Sequence, residues 1–139
     1  MENPAVWLID DDRDDQDMVT EVFHELGLTN PLVFLSTGLE ALKMLEEVPV
    51  APFIIIADVN LPKMDGFELR KRMLEHPSKK MHSVPFIFWS TSASEEQITK
   101  AFDLSAHGFF IKEANFEELK ATFVGILRYW LKSKMPAKR

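Results

Sequence analysis

Five short apolar runs recur along the chain, and each is rich in β-branched or aromatic residues. None of them alternates polar with apolar positions, which is typical of strands buried on both faces in a parallel sheet. The predicted strands are residues 6–9, 32–35, 53–57, 84–89 and 109–111.

Between and after these runs, apolar residues recur with the period of an amphipathic helix. The predicted helical segments are residues 19–26, 41–48, 67–74, 98–102 and 119–130. Strand and helix therefore alternate five times, and this order predicts an α/β fold with a parallel sheet and right-handed crossovers.

The starts of four helices carry a further signal, a capping side chain followed three residues later by Glu or Gln. The pairs are Thr37 with Glu40, Asp65 with Glu68, Ser94 with Gln97, and Asn115 with Glu118. Gly27 is predicted to end the first helix in the left-handed conformation.

Length and composition limit the kind of protein. A chain of 139 residues suits a single domain, which we expect over residues 1–139, with a core at about 4–132 and a basic tail at 133–139. The absence of cysteine excludes disulfides, thiolate nucleophiles and cysteine-ligated metals. With no secretory signal and no membrane-spanning run, we expect a soluble cytoplasmic protein. The net charge of −6 argues against broad nucleic-acid binding.

Much of the negative charge lies in one octet, residues 10–17, which contains six aspartates. Two of them follow the first predicted strand directly and are discussed next. The others are assigned to the start of the first helix, where the helix dipole favours acidic side chains. They are Asp12, Asp14, Asp15 and Asp17.

Polar side chains follow four of the predicted strands. In open parallel sheets, ligands bind beyond these carboxyl ends, where the strand order reverses. Asp10, Asp11 and Asp58 would repel one another there, and a hard cation such as Mg²⁺ would relieve the repulsion. Lys112 and Ser90 could then hold phosphoryl oxygens while the Asp58 carboxylate attacks phosphorus in line.

Four motifs occur in a fixed order: LIDDD at residues 8–12, DVNLPKMDG at 58–66, FWSTS at 88–92 and GFFIK at 108–112. Together they resemble the receiver domain of two-component response regulators. The resemblance implies a flavodoxin-like (βα)5 three-layer sandwich whose five-stranded parallel sheet has the strand order 2-1-3-4-5.

The resemblance also implies roles for individual residues. Asp58 would accept a phosphoryl group from a sensor histidine kinase or a phosphotransfer protein. Mg²⁺ would be bound by Asp10, Asp11, Asp58 and the backbone carbonyl of Asn60.

Three more positions would act on the phosphoryl group or transmit its presence. Ser90 and Lys112 would bind the phosphoryl group, and Phe109 stands where the family places an aromatic switch residue. Because Phe109 lacks a hydroxyl group, such a switch would depend on packing.

A narrower resemblance is to single-domain regulators associated with bacterial phytochrome-type kinases, carried by residues 89–92, 94–96, 102–104 and 128–131. It implies no DNA-binding or enzymatic output domain and signalling to an unidentified protein partner. The changing surface would comprise the fourth helix, the fifth strand and the fifth helix. The apolar residues Tyr129, Trp130 and Leu131 leave a homodimer open.

Two departures from the family pattern keep alternatives open. Glu113 follows Lys112 where the family has a proline in a cis peptide, which leaves the geometry of this bond and the reach of Lys112 undecided. With Thr91, it motivates a phosphorylation-independent protein-binding module as the alternative. A Mg²⁺-dependent phosphohydrolase is disfavoured because Asn60 stands where a second aspartate would be needed, so turnover of an external substrate is not expected.

Overall fold

The computed structural model describes residues 5–134, in which five parallel strands form one sheet. Their order is β2-β1-β3-β4-β5, which confirms the predicted 2-1-3-4-5 sheet. The strands are β1 (Val6–Ile9), β2 (Leu32–Leu35), β3 (Ile54–Asp58), β4 (Phe86–Ser90) and β5 (Gly108–Ile111).

Two strands extend one residue further than their apolar runs. Asp58 pairs with Trp89 in the ladder between β3 and β4, and Ser90 pairs with Ile111 in the ladder between β4 and β5. Both polar residues are therefore held by the sheet itself. A polar side chain at the end of an apolar run hides this extension from a pattern-based prediction.

Six helices connect and follow the strands: α1 (Arg13–Glu25), α2 (Gly38–Glu47), α3 (Gly66–Glu75), α4 (Lys79–His82), α5 (Glu95–Asp103) and α6 (Phe116–Lys132). The fourth and fifth predicted helices are thus α5 and α6. The one-turn helix α4 was not predicted, because a single turn that buries only Met81 shows no helical period.

The predicted helix ends are confirmed. Thr37, Asp65, Ser94 and Asn115 each accept a hydrogen bond from the backbone N–H three residues later. Gly27 has a φ of 63°, and the hydrogen bonds from its N–H to His24 and from Leu28 N–H to Phe23 complete a left-handed C-terminal cap.

Helices cover both faces of the sheet and create two separate cores. Residues of α2, α3 and α5 pack on one face, around Phe88, whose ring centroid lies 5.1 Å from that of Phe67 and 4.9 Å from that of Phe86. Residues of α1 and α6 pack on the other face, where Trp89 meets Phe123 at 5.7 Å. The result is the expected three-layer sandwich.

Arg70 of α3 holds the end of α5. Its buried guanidinium donates to the carbonyl oxygens of Leu104 and Ser105, both at 3.0 Å, and lies over the ring of Phe86. Burial without an acidic partner in this contact lowers the pKa of Arg70 to about 10. The carbonyl groups at the end of α5, which have no partner within their own helix, are thereby hydrogen-bonded to α3.

Within the described range, no helix has the length and apolar character needed to cross a membrane. Most of the predicted basic tail at 133–139 lies outside the described residues, as does Pro4 at the start of the predicted core.

Candidate phosphoryl-acceptor site

Lys112 lies at the centre of a cluster of carboxylates at the carboxyl edge of the sheet. Its Nζ donates to Oδ2 of Asp10 at 2.8 Å, to Oδ2 of Asp15 at 2.8 Å and to Oδ2 of Asp58 at 2.7 Å. The three carboxylate side chains are 0, 10 and 12% exposed, and that of Lys112 is 6% exposed. Four ionisable groups therefore share one largely dry pocket, with a net charge of −2 when all are ionised.

Asp10 is the most deeply placed of the three acids. It follows β1, its backbone N–H donates to Leu35 at 2.9 Å, and its Oδ1 accepts the N–H of Asp12. Burial raises the pKa of Asp10 to about 7, against the lowering effect of the hydrogen bond from Lys112. The Asp10 carboxyl thus changes charge near neutral pH unless a further cation binds it.

Lys112 reaches the site from the end of β5 through an ordinary trans backbone, since the described residues contain no cis peptide bond. Burial acts to lower the pKa of Lys112, but hydrogen bonds to the three carboxylates outweigh it and raise the pKa above its usual value. The Nζ also lies 5.1 Å from the centre of the Trp89 ring, a favourable cation–π position. The ammonium therefore stays charged within this pocket.

Glu113 does not compete for the ammonium. Its Oε1 instead accepts the hydroxyl of Thr122 on α6 at 2.7 Å, and this hydrogen bond lowers the pKa of Glu113. The proline-to-glutamate departure thus ties the residue after Lys112 to the last helix, and the open question about the reach of Lys112 is answered by the three hydrogen bonds.

Asp15 corrects the assignment of the acidic octet. The sequence placed it among the solvated acids of the α1 start, whereas the structure buries it to 7% exposure and bonds it to Lys112. The helix cap is Asp12, which accepts the backbone N–H groups of Asp14 and Asp15. In the first turn of α1, position 15 is on the buried face of the helix, and the buried Met18 and Val19 that follow it signal that face.

Asp58 is buried at the end of β3, and both of its carboxylate oxygens accept hydrogen bonds. Its Oδ1 accepts the N–H of Asn60 at 2.9 Å, while its Oδ2 accepts from Lys112. The backbone beneath it is tightly packed, because a Cβ added at Gly66 would lie 2.6 Å from the Asp58 carbonyl oxygen. Both the carboxylate and its backbone are thus fixed in place.

The remaining predicted site residues differ in how they face the pocket. Ser90 is fully buried, and its Oγ donates to the carbonyl of Ser92 at 2.7 Å, so the hydroxyl is committed to the following turn. Asp11 and Asn60 are exposed at its rim. Phe109 is half-buried and packs on Phe88, with ring centroids 6.2 Å apart.

Within residues 5–134, no three acidic or histidine side chains are arranged so that they could hold a metal ion by themselves. The ammonium of Lys112 lies where Asp10, Asp15 and Asp58 converge. The carboxylate groups of this pocket nonetheless offer only oxygen atoms as metal ligands, and their negative charge exceeds the single positive charge of Lys112. That chemistry suits a hard divalent cation.

A doubly covered parallel sheet in this order, with acidic side chains and one buried lysine at its carboxyl edge, is the architecture of the flavodoxin-like class of α/β domains. The family model for the response regulator receiver domain matches residues 6–124, and the chain belongs to that family, whose members serve in two-component signalling. Single-domain members of this family are signalling proteins rather than enzymes that turn over an external substrate.

Relatives over almost the full length support this assignment. The chain is 28% identical over 134 residues to response regulator Rcp1 of Synechocystis sp., covering 93% of this chain and 90% of Rcp1. It is 29% identical over 135 residues to the probable methanogenesis regulatory protein FilR2 of Methanothrix harundinacea, covering 94% and 86%.

Solved structures agree with these relatives. The phosphorylated cyanobacterial phytochrome response regulator RcpA is similar with a TM-score of 0.89 and 26% identity, covering 97% of this chain and 99% of RcpA. The Mn²⁺-bound form of Rcp1 is similar with a TM-score of 0.87 and 26% identity, covering 96% and 99%.

Proposed function

We propose that this response regulator is switched by phosphorylation of Asp58. The observation that carries the proposal is the hydrogen bond from Lys112 to a carboxylate fixed at the end of a central strand. A charged ammonium beside the acceptor can stabilise the extra negative charge that a phosphoryl group brings. The phosphorylated structure of the similar protein RcpA supports the same chemistry.

The donor in this proposal is a phosphohistidine on a sensor histidine kinase or a phosphotransfer protein. A carboxylate oxygen of Asp58 attacks phosphorus, and the bond from phosphorus to the imidazole nitrogen breaks as the new oxygen–phosphorus bond forms. The imidazole leaves with the electron pair and takes up a proton from solvent. Lys112 holds one phosphoryl oxygen, and Ser90 gives up the Ser92 carbonyl to donate to another.

Mg²⁺ is the proposed cofactor, and the Mn²⁺-bound structure of Rcp1 supports a divalent cation at this kind of site. Asp10, Asp11, Asp58 and the backbone carbonyl of Asn60 would hold it. When bound, the metal neutralises carboxylate charge and polarises the phosphoryl oxygens. Burial raises the pKa of Asp10 against the lowering effect of Lys112, and a bound cation would favour the ionised form of this carboxyl group.

The output of the switch is proposed to be contact with another protein. Phe109 of β5 packs on the core of the sheet face that α5 covers, and Ser90 donates to the turn before α5. A rearrangement at Asp58 would therefore reach the surface made by α5, β5 and α6. Tyr129 and Leu131 remain exposed on α6, which keeps a homodimer among the proposed forms.

Acetyl phosphate with Mg²⁺ tests the proposal directly. We expect intact-mass spectrometry to show one added phosphoryl group on the wild type and none on Asp58→Asn or in excess EDTA. Asp103→Asn is the matched control, because Asp103 is an exposed acid outside the pocket, and it should be modified like the wild type. Modification of Asp58→Asn would refute the assignment, and no modification of the wild type would favour the phosphorylation-independent binding module.

A further inference from the structure

The third carboxylate on Lys112 is the feature that the proposed function leaves unexplained. Asp15 is buried in the first turn of α1 and has no role in the phosphoryl transfer proposed above. Its Oδ2 nevertheless lies 2.8 Å from the Lys112 ammonium, as close as that of Asp10. A buried carboxylate is costly unless it is paired, so its presence calls for a physical role.

The hydrogen-bonding capacity of Lys112 gives that role. An ammonium group has three N–H donors, and Asp10, Asp15 and Asp58 accept all three. A phosphoryl group on Asp58 adds strong acceptor oxygens at the same place. Lys112 can bind one of them only by weakening or releasing a hydrogen bond that it already makes.

The three existing acceptors are not equivalent once a cation and a phosphoryl group are present. Asp58 becomes the phosphorylated residue itself, and a divalent cation would neutralise much of the charge on Asp10. Asp15 is neither the phosphorylated residue nor one of the residues that would hold the cation, so it remains an acceptor directed at Lys112. Resting on the proposed function, we infer that Asp15 competes with the phosphoryl group for the ammonium of Lys112 and so limits the stability of the phosphorylated state.

Asp15 is thus a positioning residue that acts through Lys112. It holds the ammonium on the α1 side of the pocket in the resting protein, and phosphorylation must draw the ammonium away from it. The competition is electrostatic, so removing the charge of Asp15 has opposite effects on the two ligands. A cation loses an attractive charge, whereas an anionic phosphoryl group gains a less neutralised lysine.

Asp15→Asn tests this competition with little change of shape. The amide keeps an oxygen that can accept from the Lys112 ammonium, but this acceptor carries no negative charge, so the ion pair is lost and the remaining hydrogen bond is weaker. Asp14→Asn is the matched control, because Asp14 is the neighbouring acid of the same helix turn and is exposed.

The measurements are titrations of the folded full-length chain with Mg²⁺ alone, and then with beryllofluoride, a phosphoryl mimic, at saturating Mg²⁺. For Asp15→Asn we expect the half-saturating Mg²⁺ concentration to rise about tenfold and that of beryllofluoride to fall about tenfold. Asp14→Asn should match the wild type in both titrations. General damage to the fold would weaken binding of both ligands and could not produce these opposite shifts.

The outcomes separate the two proposals. An unchanged or higher half-saturating concentration of beryllofluoride in Asp15→Asn, with normal binding by the wild type, overturns the competition and leaves the assignment of Asp58 intact. A wild type that binds no beryllofluoride at saturating Mg²⁺ overturns both.

Discussion

Replacement of Lys112 by methionine removes the ammonium that bonds to Asp10, Asp15 and Asp58 while keeping much of the side-chain volume. Three largely buried carboxylates then face one another without their counter-charge. Removing one partner of a buried ion pair typically costs about 3–5 kcal/mol of folding stability. Domains of this size have roughly 5–15 kcal/mol in total, so the loss should be large.

The protonation of Asp10 determines how much folding stability is lost within the range of about 3–5 kcal/mol. The pKa of Asp10 is already raised to about 7, so the Asp10 carboxyl can become neutral at little cost when Lys112 is absent. We therefore expect a loss of about 3 kcal/mol at pH 7, the lower end of the range. Lys112 lowers the pKa of Asp10, so the folded variant should hold more protons than the folded wild type near neutral pH, and the deficit should grow as the pH rises from 6 to 8.

Urea-induced unfolding followed by circular dichroism, with EDTA present, measures this loss at each pH. Lys120→Met is the control, because Lys120 pairs with Glu25 at the surface and its removal should change the free energy of unfolding very little. A Lys112→Met deficit below about 1 kcal/mol, the size expected for a surface pair, would refute the reasoning. So would a deficit that does not depend on pH.

Two further predictions concern the scaffold around the site. Gly66→Ala should lower the free energy of unfolding by about 1–3 kcal/mol and disturb phosphorylation, because the new Cβ would lie 2.6 Å from the Asp58 carbonyl oxygen. Gly125→Ala should raise it by about 0.5–1 kcal/mol, because no atom lies within 4 Å of the added Cβ. Urea unfolding measures both. His107 accepts the Phe86 N–H on Nδ1. Burial, and to a lesser extent the charge of Arg70, lowers the pKa of His107. Its contribution to stability is therefore present above the unfolded pKa of 6.5 and is lost as the pH falls below that value. His107→Asn should remove this fall in the free energy of unfolding below pH 6.5. Equal stability losses in Gly66→Ala and Gly125→Ala would contradict the first prediction, and an unchanged pH dependence in His107→Asn would contradict the second.

The sheet and its principal helices could be predicted because their signals are local and redundant. Continuous apolar runs mark buried strands, and caps such as Ser94 with Gln97 mark helix starts independently of the helical period. Helix α4 escaped prediction because one turn has no period to detect. Such local signals only partly distinguish the site residues Asp10, Asp11, Asp15, Asp58 and Lys112 from other charged residues of the chain.

Asp15 shows how far a helical pattern reaches. Met18 and Val19, three and four residues further along α1, place Asp15 on the buried face of the helix, but its pairing with Lys112 depends on how α1 lies against the sheet. Ser90 illustrates a different limit. Its place at the end of β4 was predictable, but the choice of its hydroxyl between Ser92 and a phosphoryl group depends on the state of the site.

The hydrogen bonds of Lys112 link positions that are far apart in the chain. Lys112 is 102 residues from Asp10, 97 from Asp15 and 54 from Asp58. Contacts of such separation form only after the intervening loops have closed, which places them late in folding. A chain whose last strand has not joined the sheet contains Asp58 but lacks the Lys112 ammonium beside it. If Asp58 is the acceptor proposed above, receipt of a signal requires a completed fold, and a partly folded copy would be silent rather than wrongly active.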